Sequence, residues 1–322
     1  PTSKDGSVII KVESCGICGS DIHYWDTGEP KKLVMGHEFC GLVVDPGKRQ
    51  DLKVGDKVTG LPISPCGMCE ACKMGNPQYC PSTWTEAVGL SLKNPGGFAE
   101  YTSCRADLVK KIPDKMSFDE GTLVEPSAVA LHAVALADVK VGAKVLVIGG
   151  GIIGLMACEL AKLEGACYIA MLETNLARAK KSTTVGKADQ YFDAKKENVI
   201  QELYEVTNGG FDVVIECCGN SAAVTEAFLA VKPGGKIILV GVSTGPVTIP
   251  TVAAVMKEVT VIGAIAYTER EFTTMIDLIA NKTINAKKYI DDIVTLDKVQ
   301  DSFTRLTNGR DDAVKIIVHP ND

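Results

Sequence analysis

Four cysteines crowd one short stretch, Cys66-Gly-Met-Cys-Glu-Ala-Cys-Lys-Met-Gly-Asn-Pro-Gln-Tyr-Cys80, with the spacing C-x2-C-x2-C-x7-C. Four thiolates on a polar loop meet the tetrahedral demand of zinc, with Zn–S bonds of about 2.3 Å, and sulfur then fills every coordination position. The alternative is four unligated or oxidised thiols, on a loop with little apolar core to order it. The expected role of Cys66, Cys69, Cys72 and Cys80 is a closed, structural zinc site.

A second group has mixed chemistry. Cys15-Gly-Ile-Cys-Gly-Ser-Asp-Ile-His-Tyr24 places a thiol, a hydroxyl, a carboxylate and an imidazole close together, and Met35-Gly-His-Glu-Phe39 follows. A catalytic zinc needs three mixed ligands and one open position. Cys18 and His37 are the best candidates. Glu38 and Glu125 compete for the third place. Asp21 is placed to accept the second N–H of His37 and fix its tautomer. The bland alternative makes Cys18 and His37 unrelated core residues.

These groups need a scaffold, and the rest of the chain supplies a clear one. Val145-Leu-Val-Ile-Gly-Gly-Gly-Ile-Ile-Gly-Leu-Met-Ala157 reads as a buried strand, a glycine turn and a helix start. Its glycines fit G-x-G-x-x-G. Gly149 allows the tight turn, Gly151 the close approach of a pyrophosphate, and Gly154 the packing of helix on strand. The next strand ends in Glu173, whose carboxylate suits the hydroxyls of an adenosine ribose and repels a 2′-phosphate, so NAD is expected over NADP. Arg178 faces either the adenosine phosphate or solvent. Strands are expected at 144–149, 167–173, 190–193, 211–217, 236–241 and 259–265. Helical patterns lie between most of them, giving a doubly wound parallel sheet. Before it, short strands at 8–12, 41–44 and into 54–58, joined by glycine turns, predict a β-rich domain.

At 322 residues the chain suffices for two domains. A formal net charge of −6 without a basic block offers no electrostatic footprint for nucleic acid or an anionic membrane. No signal-like segment or membrane-length apolar run is visible, and clustered cysteines suit metal in a reducing compartment, so a cytoplasmic protein is expected. His132 is expected to be packed in a helix, and His319 to be exposed.

Cys18-Gly-Ser-Asp-Ile-His23, Gly36-His-Glu38, the four-cysteine lobe, Gly97-Phe-Ala-Glu-Tyr101, Val124-Glu-Pro126 and the glycine fingerprint together resemble the zinc-dependent medium-chain alcohol dehydrogenases. The nearest likeness is to the sorbitol, polyol and butanediol dehydrogenase branch, over nearly the whole chain. The resemblance implies a doubly wound Rossmann sheet inserted into a β-rich, GroES-like catalytic domain. The catalytic domain would comprise residues 1–126, with the structural zinc lobe at 66–80, and 267–322, and the NAD domain residues 127–266.

By that resemblance each chain binds two zinc ions and NAD, oxidises a small alcohol, and forms a homotetramer or homodimer. Cys18, His37 and either Glu38 or Glu125 would hold the catalytic zinc. Ser20 and His23 match the family's proton relay, and Tyr24, Phe98 and Tyr267 would line the substrate pocket. Cofactor contacts fall on Gly149, Gly151, Ile152, Ile153, Gly154, Glu173, Arg178, Cys218, Val240, Val242 and Ile265. The chain departs from the pattern in three ways, the first being that it starts where family members are expected to have completed a first strand or hairpin. The stretch between His23 and His37 is short, and Ala266-Tyr267 stands where sorbitol dehydrogenases carry arginine and tyrosine. Losing that guanidinium makes a small vicinal diol an alternative to a polyol. A reading of another class, a non-catalytic nucleotide-binding protein on the same fold, is opposed by the intact ligand set and relay.

Overall fold

The computed structural model describes residues 6–243, 245–307 and 312–322. The chain divides into two compact units, one made of Pro1–Ala128 and Tyr267–Asp322, the other of Val129–Ala266. The first segment lays down β1 (Ser7–Gly16), α1 (Gly19–Thr27), β2 (Glu38–Asp45), β3 (Lys57–Gly60), α2 (Glu70–Lys73), β4 (Tyr101–Arg105), β5 (Val109–Lys111), α3 (Phe118–Thr122) and the start of α4 (Val124–Ala137). The second unit adds β6 (Lys144–Ile148), α5 (Ile152–Leu163), β7 (Tyr168–Glu173), α6 (Leu176–Thr184), β8 (Gln190–Asp193), α7 (Val199–Thr207), β9 (Phe211–Glu216), α8 (Ser221–Ala230), β10 (Val231–Leu239), α9 (Thr251–Met256) and β11 (Thr260–Gly263). The chain then returns with α10 (Glu269–Ala280), β12 (Asp292–Thr295), α11 (Val299–Thr307) and β13 (Ile316–His319).

In the first unit, β1 is the hub of a seven-stranded sheet ordered β12-β13-β1-β2-β3-β5, with β4 also paired to β1. Val8, Ile10 and Val12 are wholly buried there. β1 and β2 pair antiparallel with register shifts, and a Cβ at Gly41 would collide with the Lys11 carbonyl oxygen, so the crossing requires glycine. The strand expected at 8–12 thus extends to Gly16. That extension matters, because β13 pairs with its last residues, Cys15 and Gly16. β4, β5, β12 and β13 were not anticipated. They are three to five residues long, too short for alternation to stand out.

The second unit is a six-stranded, all-parallel sheet in the order β11-β10-β9-β6-β7-β8. Helices follow the strands because the parallel direction requires a crossover each time. One face of the sheet buries Leu146, Ile148, Leu172 and Val214 against Leu203 of α7 and Val224 and Phe228 of α8. Lys257 closes the end of α8, its Nζ donating to the carbonyls of Phe228, Leu229 and Val231 and to the Tyr204 hydroxyl at 2.7–2.9 Å. Strand order reverses between β6 and β9, so loops at their carboxyl ends diverge and leave a crevice.

His319, expected on the surface, is instead half-buried at the end of β13. Its Nε2 lies 2.8 Å from Asp119 Oδ1 and its Nδ1 2.9 Å from Asp322 Oδ2. The Ser14 hydroxyl donates to the same Asp119 oxygen at 2.8 Å. Burial opposes the imidazolium, but hydrogen bonds to the two carboxylates outweigh it and raise the His319 pKa. A raised folded-state pKa means the contribution is complete below the unfolded value and is lost as pH climbs through the folded one. His319→Gln should therefore reduce stability in urea more at about pH 6 than at about pH 9. An equal loss at both would show that His319 contributes no charge to this contact.

Candidate metal centre and dinucleotide site

In the first unit, a thiol, an imidazole and a carboxylate converge. Cys18, His37 and Glu38 each bring a ligand atom to within 4.8 Å of the others. Cys18 is the N-cap residue of α1, and His37 precedes the first residue of β2. Gly36 turns the chain into His37 with φ +94°, and a Cβ there would sit 2.7 Å from the Phe98 nitrogen. Asp21, wholly buried, ties the two ligand loops together by accepting the Cys18 N–H at 3.0 Å and the Gly36 N–H at 3.4 Å. Asp21 Oδ1 stands 3.5 Å from His37 Nδ1, which makes no hydrogen bond. The anticipated Asp21–His37 contact is therefore an electrostatic one at this distance.

The charge balance favours a cation. Burial pulls the His37 pKa down, yet Asp21 and then Cys18 carry it well above its ordinary value. A buried imidazole, a thiol and a carboxylate whose ligand atoms converge are a donor set that fits zinc. Glu125 falls outside the convergent group. Its Oε1 accepts the Tyr267 hydroxyl at 2.8 Å, and burial first, then the Glu38 charge, push its carboxyl up to about 7.

The thiols of Cys66, Cys69, Cys72 and Cys80 also lie within 4.8 Å of one another. Main-chain N–H groups already point at them: Cys66 N to Cys80 Sγ at 3.3 Å, Cys69 N to Cys66 Sγ at 3.3 Å, Ser82 N to Cys80 Sγ at 3.4 Å. The N–H of Cys66 leads in drawing the Cys80 thiol down to about 6. Sulfurs held in N–H bonds are prepared as thiolates, the form that binds metal.

In the second unit the glycine turn behaves as its spacing foretold. Gly149 has φ +103°, and a Cβ at Gly154 would collide with the Gly149 carbonyl oxygen. A Cβ on Gly151 would meet nothing within 4 Å, so the space before α5 is open where phosphates would approach its N–H groups. Ile152 and Ile153 form the first turn of α5. Glu173 ends β7, with Oε2 accepting the Gly150 N–H at 2.5 Å and Oε1 the N–H groups of Thr174 and Asn175 at 2.6 and 2.8 Å. Arg178 lies on α6 beside this turn, its Cβ 3.3 Å from an ideal Cβ at Gly150. Cys218, Val240, Val242 and Ile265 follow the carboxyl ends of β9, β10 and β11, where a doubly wound sheet binds its ligands.

Family models place these features. An alcohol dehydrogenase GroES-like domain matches residues 4–114, and a zinc-binding dehydrogenase domain matches residues 153–281. The sorbitol dehydrogenase of Bacillus subtilis (strain 168) is 32% identical over 332 residues, covering 100% of this chain and 92% of that protein. The chain belongs to the zinc-dependent medium-chain alcohol dehydrogenases, in their sorbitol and polyol branch. Among solved structures, 2R,3R-butanediol dehydrogenase from Bacillus subtilis shares 34% identity and a TM-score of 0.88, covering 100% of this chain and 94% of that one. A protein of Sinorhizobium meliloti 1021 described as a zinc-binding dehydrogenase, bound to NADP, shares 31% identity and a TM-score of 0.91 over 99% and 94% of the two chains. This dehydrogenase is thus an oxidoreductase of alcohols or polyols that works with zinc and NAD(P). No helix among the described residues is long and apolar enough to cross a membrane.

One residue of the dehydrogenase site escaped the sequence reading. Lys315, on the approach to β13, is wholly buried. Its Nζ donates to both Glu38 oxygens at 2.8 and 2.6 Å and to the Ile17 carbonyl at 2.8 Å. Burial works against its charge, but Glu38, then Cys18, raise its pKa. The only signal was a lysine inside the apolar run Ala313-Val-Lys-Ile-Ile-Val318. Tyr267 has no exposed surface, and its hydroxyl donates to Glu125 Oε1, so it braces that acid. Tyr24 is half-buried on α1, and half-buried Phe98 packs edge-on against Phe303 with ring centroids 6.0 Å apart. Ser20 is half-buried and His23 exposed, three residues apart on α1.

Lys315→Met should remove about 3–5 kcal/mol of stability from the metal-stripped protein, because Glu38 is left buried without its cation. Loading zinc should recover part of that loss. Chemical denaturation with and without metal checks both, and an unchanged stability would show that the pair is replaceable.

Proposed function

We propose that this dehydrogenase oxidises a secondary alcohol of a polyol, such as sorbitol or xylitol, to the ketone, with NAD as hydride acceptor. The convergence of Cys18, His37 and Glu38 carries the reading. Those three residues would hold the catalytic zinc, and the four thiols at 66–80 a second, structural one. When bound, zinc stabilises negative charge on the alcohol oxygen, and NAD accepts the hydride.

The chain's own groups do the rest. Asp21 fixes the Cys18 and His37 loops relative to each other. Lys315 balances the Glu38 charge and holds the carboxylate in place. Glu125, held by Tyr267, stays outside the ligand group as an acid whose pKa is pushed up to about 7. The Ser20 hydroxyl accepts the alcohol proton as it gives up its own, which is handed on towards His23 at the surface and released to solvent. NAD is favoured over NADP because the Glu173 carboxylate is held against the glycine turn, where a 2′-phosphate would meet its charge.

A small vicinal diol such as 2,3-butanediol is the second reading. It is favoured by Ala266, which replaces the guanidinium that would hold a further substrate hydroxyl. Assembly into a homodimer or homotetramer is supported by apolar side chains left in water on the second unit. Val252, Val255 and Met256 on α9 are 74–78% exposed, beside the edge strand β11 with Val261 at 41%. Light scattering that returns the mass of a single chain would remove this inference.

Turnover should be measured as NADH formation with sorbitol, xylitol and the 2,3-butanediol stereoisomers, each with and without a strong chelator. Chelator-sensitive oxidation of a sugar alcohol supports the first reading, and of butanediol alone the second. His37→Ala should abolish turnover, lower zinc from two ions per chain to one, and leave NAD binding intact. Full activity in that variant would sink the ligand assignment.

A further inference from the structure

Glu216, the last residue of β9, is wholly buried, yet no counter-ion stands against it among the described residues. Its Oε1 accepts two main-chain N–H groups, from Cys218 at 2.6 Å and Gly219 at 2.8 Å. Its Oε2 is buried with no hydrogen-bond partner. Burial pushes the carboxyl pKa up, against the pull of those N–H groups. The Glu216 main-chain carbonyl accepts two more, from Val240 at 2.8 Å and Gly241 at 3.0 Å. A single residue therefore gathers four N–H groups from two loops, those leaving β9 and β10.

The loops it gathers crowd against each other and against the glycine turn. A Cβ at Gly149 would lie 2.7 Å from Cys218 Sγ. Gly219 has φ +70°, and a Cβ there would lie 2.6 Å from the Val242 carbonyl oxygen. With so little slack, the path of the β9 loop fixes that of the β10 loop. A buried acid with an unpartnered oxygen costs stability, and an apolar residue would fill the space without that cost. What the acid supplies is a fixed path for the β9 loop, against which the β10 loop packs.

The sheet order says which part of a ligand would feel that shape. The pyrophosphate belongs at the β6 turn and the adenosine ribose at Glu173, on the β7 side. The other half of the dinucleotide must run the opposite way across the switch point, over the ends of β9 and β10. Building on the NAD reading above, we propose that Glu216 is a positioning residue for the nicotinamide half of the cofactor, acting by setting the Cys218–Gly219 and Val240–Val242 loops.

The test compares NADH with AMP, which occupies only the Glu173 side, on the full-length, zinc-loaded protein. Binding is read by fluorescence for NADH and by calorimetry for AMP. Glu216→Leu should weaken NADH by about ten-fold or more, while AMP stays within about two-fold. Glu216→Gln keeps an acceptor oxygen for the two N–H groups. It should hold NADH affinity within about two-fold even if its melting temperature falls, because loop geometry and global stability are separate quantities. If Glu216→Leu does not fold, Gly219→Ala displaces the same loop and should show the same selective loss. Equal weakening of NADH and AMP, or unchanged NADH binding in the variant that folds, overturns the proposal. Failure of the unaltered protein to bind NADH would instead overturn the cofactor reading on which it rests.

Discussion

The Glu38–Lys315 pair is the constraint on which the metal centre depends. Both side chains are wholly removed from water, and each is costly to bury alone. Together they hold a carboxylate beside Cys18 and His37 without leaving it uncompensated. The surroundings are arranged around that pair. Gly16 lacks a side chain where a Cβ would run into the Glu38 carboxylate, and the Ile17 carbonyl takes a further Lys315 proton. Asp21 then adds a second buried acid, so the two carboxylates carry one negative charge more than Lys315 offsets.

The dinucleotide unit solves a different problem. Its ligand groups are mainly backbone, so shape is set by what the backbone lacks or by what grips it. Gly154 lacks a Cβ where α5 presses on the turn, and Glu173 and Glu216 grip N–H groups at the ends of β7 and β9. Both acids act first on their own chain.

Much of this was legible in the sequence. Glycine spacing marked the turn because its chemistry is local, and the six parallel strands stood out as buried apolar runs between helical patterns. The cysteine lobe was legible for the same reason, its four thiols lying within 15 residues of chain. Local patterns did not reveal Lys315, which looks like an interruption in an apolar strand until its partner 277 residues away is seen. The hydrogen bond from Tyr267 to Glu125 was equally hidden, because its partners lie 142 residues apart. The short strands β5 and β12 carry too few residues to display a period.

The metal-bearing unit is assembled from two separated stretches of chain, with the dinucleotide unit lying between them in sequence. During synthesis, Cys18, His37 and Glu38 leave the ribosome long before Lys315 exists. The intervening unit is contiguous and has its whole sheet in hand first. A nascent chain therefore holds the Glu38 carboxylate without its Lys315 partner until almost the last residues are made. Only the arrival of β13 supplies the strand that pairs with Cys15 and Gly16 at the end of β1. The counter-ion of Glu38 thus arrives last, beside a strand that contributes none of the three convergent side chains.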